Sequence, residues 1–416
     1  MTLTMKIAII SYHTCPLATL GGKDTGGMNV YVRDLTMYLG QLGVHADVFT
    51  RSQDEHVPHI LHDLGHGNRV VHIPAGPENP RPKQELQDYI KEFTNNILTF
   101  AQDKEIAYDL IFSHYWLSGL AALRLKKAWG VPVAHMFHTL AHLKNKIAAS
   151  EEEKDGQYRI DGEMKVLKGA DRIIVATRDE KENLLTLYSA KEKKIKIIPP
   201  GVDTAHFYPI PVDEAKEYIG MPRDEKMILF VGRIEPLKGI DTLIHAIAQM
   251  RKADVLSRCP HYLYIIGGNP EACGEDASKE MQRLQALCAE LDLHDLVLFL
   301  GKRDQDSLQY YYSAAEMVVM PSHYESFGMV ALEAMACGTP VIATQVGGLQ
   351  HLVQDGETGF VIPNGDPDAL EEKITVLICK EELKDQMSRN SVAYAQTLNW
   401  DVIAKKLIKQ FNKMND

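Results

Sequence analysis

The stretch GRIEPLKG, residues 232–239, places Arg233 and Lys238 five residues apart around a proline, with a glycine at each end. It follows MILFV, residues 227–231, an apolar run of strand type. Pro236 keeps the stretch from running on as a regular helix. Two cations at the exit of a buried strand can hold an anion where glycine lets the backbone come close. A second pair lies downstream in SHYESFGMVALEAMACGTPVIAT, where Glu325 and Glu333 are eight residues apart. SFG has the form of a helix start, and MVALEAMA is a strong helix former. Eight residues of helix span about 12 Å, the reach from a nucleotide's ribose to a sugar beyond its diphosphate. In that arrangement Glu325 meets sugar hydroxyls and Glu333 meets ribose hydroxyls. The N–H groups of Phe327 and Gly328 then face the phosphates. The plainer alternative is a surface helix with two solvated glutamates. Against it, one Glu precedes the helix, the surroundings are apolar, and a Gly-Thr-Pro turn follows.

A glycine-rich turn near the start could serve the same chemistry. HTCPLATLGGKDTGGMNVYV carries Gly pairs at 21–22 and 26–27, ahead of a helix expected from about Met28. Such a turn brings N–H groups and a helix dipole to an anion. Plain turn punctuation explains it equally well. Neither GxGxxG nor GxxxxGK[ST] is present, so the dinucleotide and P-loop readings lose their main support.

The elements that must position these residues are short apolar runs alternating with helical segments. KIAIIS, HADVFT, DLIFSH, PVAHMFH, RIIVAT and IKIIP precede residue 200; MILFVG, YLYIIGG, LVLFLG, MVVMPS and PVIAT follow it. Continuous apolar strands between helices mean parallel sheets covered on both faces. The expected fold class is α/β, with two Rossmann-like doubly wound domains in tandem. PPGVDTAHFYPIPVDEA, residues 199–215, is the linker between them. Ligands of such sheets sit at the carboxyl ends of strands, and the cleft between two domains is the default site. The end of the chain reads as a helix with an apolar stripe.

Composition narrows the function. The chain has 416 residues, 45% hydrophobic, with a net charge of −11, so no broad basic field is available for nucleic acid. No apolar run reaches the ~18 residues of a membrane span. The opening MTLTMKIAIISYH enters a strand at once, so no secretory leader is expected. Six scattered cysteines form no CxxC or CxxH pattern, which reads as a reduced, cytoplasmic protein without a zinc site.

Taken together, GRIEPLKG, the Glu pair, GTPVIAT and PPGVDTAHFYP resemble the retaining glycosyltransferases of family 4, which have the GT-B fold. The similarity runs from about residue 5 to 400. Within that group HTCPLATLGGKDTGGMNVYV, FSHYWLSGL and HTLAHLKN resemble the D-inositol 3-phosphate glycosyltransferases. Sucrose-phosphate synthases share the layout and remain open; they usually have Gln after the Gly pair, where this chain has Met28 followed by Asn29. The resemblance implies an acceptor-binding domain over 1–205 and a nucleotide-sugar-binding domain over 206–390. The helix of 391–416 would return to the N-terminal domain. It implies Arg233 and Lys238 on the donor pyrophosphate, Gly27 against the β-phosphate, Arg303 near the uracil and His138 at the reacting sugar. It also implies Lys83, Tyr115, Thr139 and Arg159 at the acceptor phosphate, with Lys144 and Lys146 adding charge. His13, Asp24 and Asn29 would contact the acceptor ring. Taken singly, Lys83 and Arg159 are ordinary surface cations and His138 is an ordinary core histidine. The cation clamp stands in place of a metal: no cofactor is required beyond the UDP-sugar co-substrate, and magnesium is compatible but not essential. Asp366-Pro-Asp368 has the look of a helix cap. Partners are the nucleotide-sugar donor and a phosphorylated small-molecule acceptor, with a homodimer allowed. Rival readings are a nucleotide-sugar sensor without activity, which would be expected to lose His138 or Glu325, and an epimerase, which needs no acceptor-phosphate set.

Overall fold

The computed structural model describes residues 5–18, 25–147, 151, 154–253, 255, 260–272 and 278–415; the first Gly pair and Asp24 lie outside the described residues. The chain divides into two compact units, Met1–Gly201 with Trp400–Asp416, and Val202–Asn399.

In unit 1 the strands are β1 (Lys6–Ile10), β2 (His45–Arg51), β3 (Ile60–Leu61), β4 (Arg69–Ile73), β5 (Leu110–His114), β6 (Val133–Met136), β7 (Arg172–Val175) and β8 (Ile195–Ile197). They form one sheet in the order β3-β4-β2-β1-β5-β6-β7-β8. Neighbours are parallel except the short β3, which is antiparallel to β4. Ile7, Ala8, Ile9 and Ile10 of β1 are wholly buried because helices cover both faces of the sheet. The helix Trp400–Asn415 belongs to this unit, where Trp400 meets Tyr31 edge-on at 5.2 Å and Phe411 meets Phe112 at 5.3 Å.

In unit 2 the strands are β9 (Met227–Val231), β10 (Tyr262–Ile266), β11 (Val297–Gly301), β12 (Ala315–Met320), β13 (Val341–Thr344) and β14 (Gly359–Ile362), in the order β11-β10-β9-β12-β13-β14. All these pairs are parallel. Ile228, Leu229 and Phe230 are at most 1% exposed, and each such side chain contributes about 1.5–3 kcal/mol by leaving water. That burial fixes where the cation-bearing segment after β9 begins.

Both sheets reverse their strand order once, beside β1 in unit 1 and beside β9 in unit 2. Segments leaving the strands on either side of a reversal diverge to opposite faces, which opens a crevice at the carboxyl ends. The sequence reading has no strand at 69–73 or 359–362. Arg69 and His72 break the apolar run of the first, and the second is four residues behind a turn. Pairing supplies what the local pattern lacks: β4 lies along β2, with Arg69 bridging Asp47 at 2.6 Å, and β14 lies along β13.

The turn after β9 is held by a close approach. Gly239 has φ 61°, and a Cβ there would fall 2.1 Å from the carbonyl oxygen of Pro321. Gly220 has a similar φ of 70° but open space around it. Gly220→Ala therefore carries only left-handed strain, about 1–2 kcal/mol, whereas Gly239→Ala also pushes the segments after β9 and β12 apart. Scanning calorimetry is expected to show a clearly larger drop in melting temperature for Gly239→Ala. Equal drops would mean that the contact with Pro321 does not constrain the turn.

Candidate active site

In unit 2 the segments leaving β9 and β12 flank the order reversal. Glu235 is extended, Pro236–Lys238 form a single 3-10 turn with proline at its start, and Gly239 closes it before the helix Ile240–Lys252. Proline presets the φ that this turn needs. Lys238 Nζ lies 2.5 Å from Glu325 Oε2, with the two side chains 17% and 19% exposed. Arg233 Nη1 lies 2.8 Å from Glu235 Oε1 of its own segment. Backbone bonds lock the surrounding segments together. His323 N donates to Leu237 O at 2.9 Å, and Gly348 N donates to Glu325 O at 3.0 Å.

Gly328 caps the helix Met329–Ala336, and Phe327 before it is buried. Glu333 sits within that helix at 4% exposure and accepts from the Tyr312 hydroxyl at 2.8 Å. Arg303 follows β11; its Nε donates to the Tyr311 hydroxyl at 2.8 Å, and its Nη1 donates to the carbonyls of Leu300 and Lys302 at 2.6 and 2.9 Å. Two cations stand on pinned backbone, each already paired with a carboxylate. An anion arriving at Lys238 competes with Glu325 for the same ammonium.

In unit 1 Gly27 is the first residue of the helix Gly27–Gln41. Asn29 is 1% exposed, and its carboxamide is engaged inside the protein. Its Oδ1 accepts from Gly26 N at 3.0 Å, and its Nδ2 donates to Thr14 Oγ1 at 2.8 Å and Cys15 O at 2.7 Å. Asn29 thus clips the segment after β1 to the helix start.

Tyr115 and His138 follow β5 and β6 with φ of 73° and 62°. Non-glycine residues hold such backbone only where the surroundings enforce it, and these places cluster at functional sites. Three groups gather on the Tyr115 ring: the His13 ring at 4.5 Å, Lys83 Nζ at 5.6 Å and the Arg159 guanidinium at 5.0 Å. Arg159 is 2% exposed. Its Nε donates to Glu163 at 2.9 Å, its Nη1 to Asp155 at 2.7 Å, and its Nη2 to Thr139 Oγ1 at 3.0 Å. Lys83, Tyr115, Thr139 and Arg159, distant in sequence, are therefore brought together. Lys144 stands 3.5 Å from Asp155 at the edge of the group, and Lys146 is exposed on the same helix.

A cavity of about 190 Å³ opens beside His13, Gln53, Arg81 and Lys83. Buried Arg51 borders it and donates to the carbonyls of Ala75, Asn79 and Pro77, which fixes the segment leading to Arg81 and Lys83. Arg51 was missed in the sequence reading; its only signal is a cation ending the buried strand HADVFTR. His114 was missed too. Its ring Nδ1 lies 3.0 Å from His138 Nε2. Burial pushes His138 down to about 3. Burial, then the charge of Lys83, holds His13 well below the usual histidine range. Both are neutral at pH 7. Among the described residues no three His, Cys, Asp or Glu side chains are grouped to hold a metal ion. Asp366 accepts from Ala369 N at 2.9 Å as the cap of the helix Pro367–Cys379. No helix among the described residues is long and apolar enough to cross a membrane.

Residues 25–206 match the family described as Glycosyltransferase Family 4, and residues 211–393 match that described as Glycosyl transferases group 1. A D-inositol 3-phosphate glycosyltransferase of Thermomonospora curvata is 38% identical over 99% of this chain and 96% of its own length. That of Acidothermus cellulolyticus is 39% identical over 95% of this chain and 87% of its own. The solved sucrose-phosphate synthase of Thermosynechococcus elongatus superposes with a TM-score of 0.88 at 35% identity, covering 99% of each chain. Anabaena HepE, solved with UDP and glucose, has a TM-score of 0.75 at 20% identity over 98% of this chain and all of its own, a likeness of fold. This full-length similarity makes the chain a member of the family 4 glycosyltransferases, with the GT-B fold.

Proposed function

We propose that this protein is a retaining glycosyltransferase that moves a hexosyl group from a UDP-sugar, UDP-N-acetylglucosamine or UDP-glucose, to a phosphorylated polyol or sugar. The leading acceptor is D-inositol 3-phosphate. The observation that carries the reading is the meeting of Lys238 and Glu325 at the strand-order reversal of unit 2, in a chain of this family. Arg233 and Lys238 hold the donor diphosphate, Gly27 lies against the β-phosphate, and Phe327 and Gly328 present N–H groups to the phosphates. Arg303 borders the uracil, Glu333 holds the ribose, and Glu325 holds the sugar hydroxyls. As the bond from sugar to β-phosphate breaks, its electron pair stays on the phosphate oxygen, where the two cations offset the new charge. The acceptor hydroxyl attacks the same face of the sugar, and its proton passes to the departing phosphate. His138 is neutral and gives a hydrogen bond to the sugar. Magnesium is not essential to this scheme.

For the acceptor, the assembled group of Lys83, Tyr115, Thr139 and Arg159 suits a phosphate monoester, with Lys144 as outlying charge and His13 and Asp24 on the ring. Asn29 acts by shaping the segment that meets the acceptor, since its amide is engaged within the unit. A second reading, sucrose-phosphate synthase, is favoured by the TM-score of 0.88 to an enzyme of that name; it changes the pair to UDP-glucose and fructose 6-phosphate.

Lys238→Ala is expected to lower kcat about 10²-fold or more, the scale for losing one preorganised donor to developing charge; unchanged turnover of UDP-sugar would contradict the clamp. With His138 near 3, kcat at saturating acceptor is expected to stay flat between about pH 5.5 and 8, because that group does not titrate there. kcat/KM for the acceptor should fall below about pH 6, as the phosphate takes its second proton. A limb in kcat near pH 6.5 that vanishes in His138→Gln would show an ionising His138 instead. UDP release with UDP-N-acetylglucosamine plus D-inositol 3-phosphate, run beside UDP-glucose plus fructose 6-phosphate, decides the acceptor. Turnover with the first pair alone is the expected result. Turnover with the second alone selects the sucrose-phosphate reading, and turnover with neither overturns both.

A further inference from the structure

The His114–His138 contact has a direction that the surroundings determine. β5 and β6 are parallel neighbours, with His114 in register with Met136. His138 lies two residues past the end of β6, and its left-handed backbone brings its ring beside that of His114. His114 Nδ1 and His138 Nε2 are 3.0 Å apart, so one nitrogen carries a proton and the other does not. His114 is wholly buried, and its Nε2 has no hydrogen-bond partner. Aromatic rings wall it in: Phe112 at 4.3 Å and Tyr31 at 5.4 Å, centroid to centroid.

We infer that His114 fixes the tautomer of His138, so that His138 carries its proton on Nδ1 and meets its ligand as an N–H donor. A neutral imidazole has one N–H. Placed on His114 Nε2, that hydrogen would be a buried donor without an acceptor, which native structures rarely tolerate. Placed on Nδ1, it makes the observed bond, and Nε2 keeps only an unpaired lone pair. His114 Nδ1–H then donates to His138 Nε2, which must be bare. Burial first, and then the neighbouring His138 and His135, keep His114 far below the usual histidine range, so the doubly protonated form does not compete. His114 is a positioning residue in this account. The functional consequence rests on the reading that His138 faces the reacting sugar. There it would hydrogen-bond to an oxygen and be unable to act as a base.

The test reads the tautomer directly. Long-range 15N–1H spectra of the full chain with 15N-labelled histidine, the His138 signals assigned by their loss in His138→Gln, are expected to show Nδ1–H. Nε2–H in the wild-type protein overturns the inference. His114→Leu should release the tautomer toward Nε2–H and lower kcat about tenfold, with KM for the UDP-sugar within a factor of two. His114→Asn, whose amide hydrogens replace Nδ1–H, should restore both. A shift to Nε2–H in His114→Leu with unchanged kcat upholds the tautomer and overturns the placement of His138 at the sugar. Unchanged Nδ1–H in His114→Leu itself would show that His114 does not set it.

Discussion

The ion pair between Lys238 and Glu325 is the constraint on which the candidate donor site depends. Its two side chains are more than four-fifths buried, so each charge has lost most of its water and needs the other. Removing one partner would leave the other poorly compensated, a situation far costlier than losing an exposed pair. The pair also ties together the segments that leave β9 and β12. Backbone bonds from His323 to Leu237 and from Gly348 to Glu325 repeat the tie. The backbone bonds hold the segment that carries Lys238 at the strand-order reversal before any ligand arrives and do not need the carboxylate, which is the condition for stabilising developing charge cheaply.

Unit 1 follows a different logic. His13, His114 and His138 lie among rings and are kept neutral, so they serve as hydrogen-bonding groups and not as charges. Its cations are mounted on carboxylates and backbone: Arg159 on Asp155 and Glu163, Arg51 on three carbonyls. A side chain held this firmly gives up little freedom on meeting a ligand, which favours specific recognition of a small anion over general attraction. The net charge of −11 makes the same distinction at the scale of the whole chain.

Much of this was legible in the sequence because it rests on local pattern. The buried run 227–231 followed by Arg233, Pro236 and Lys238 announces a strand ending in a cationic turn. The helix of residues 329–336 follows from its composition, and its start from the form of SFG just before it. What the sequence could not show is where a side chain spends its hydrogen bonds. Asn29 reads as a ligand-facing residue of a glycine-rich segment, yet its amide serves as an internal clip. Arg159 reads as a surface cation in YRIDGE, yet it is 2% exposed. His114 reads as an ordinary strand residue, because its importance comes from the left-handed turn at His138, a backbone conformation no residue pattern announces. β4 and β14 were missed for a related reason, since only their pairing makes them strands.

The proposed mechanism divides the work, with Lys238 answering to the diphosphate and Glu325 to the sugar. Calorimetric titration of UDP into the wild-type protein and into Glu325→Gln tests it most directly. If the division holds, UDP binds the variant as tightly as the wild type or a few-fold tighter, because Lys238 no longer has to leave a carboxylate. If UDP affinity falls tenfold or more, Glu325 is needed to present Lys238 to the diphosphate, and the division is wrong.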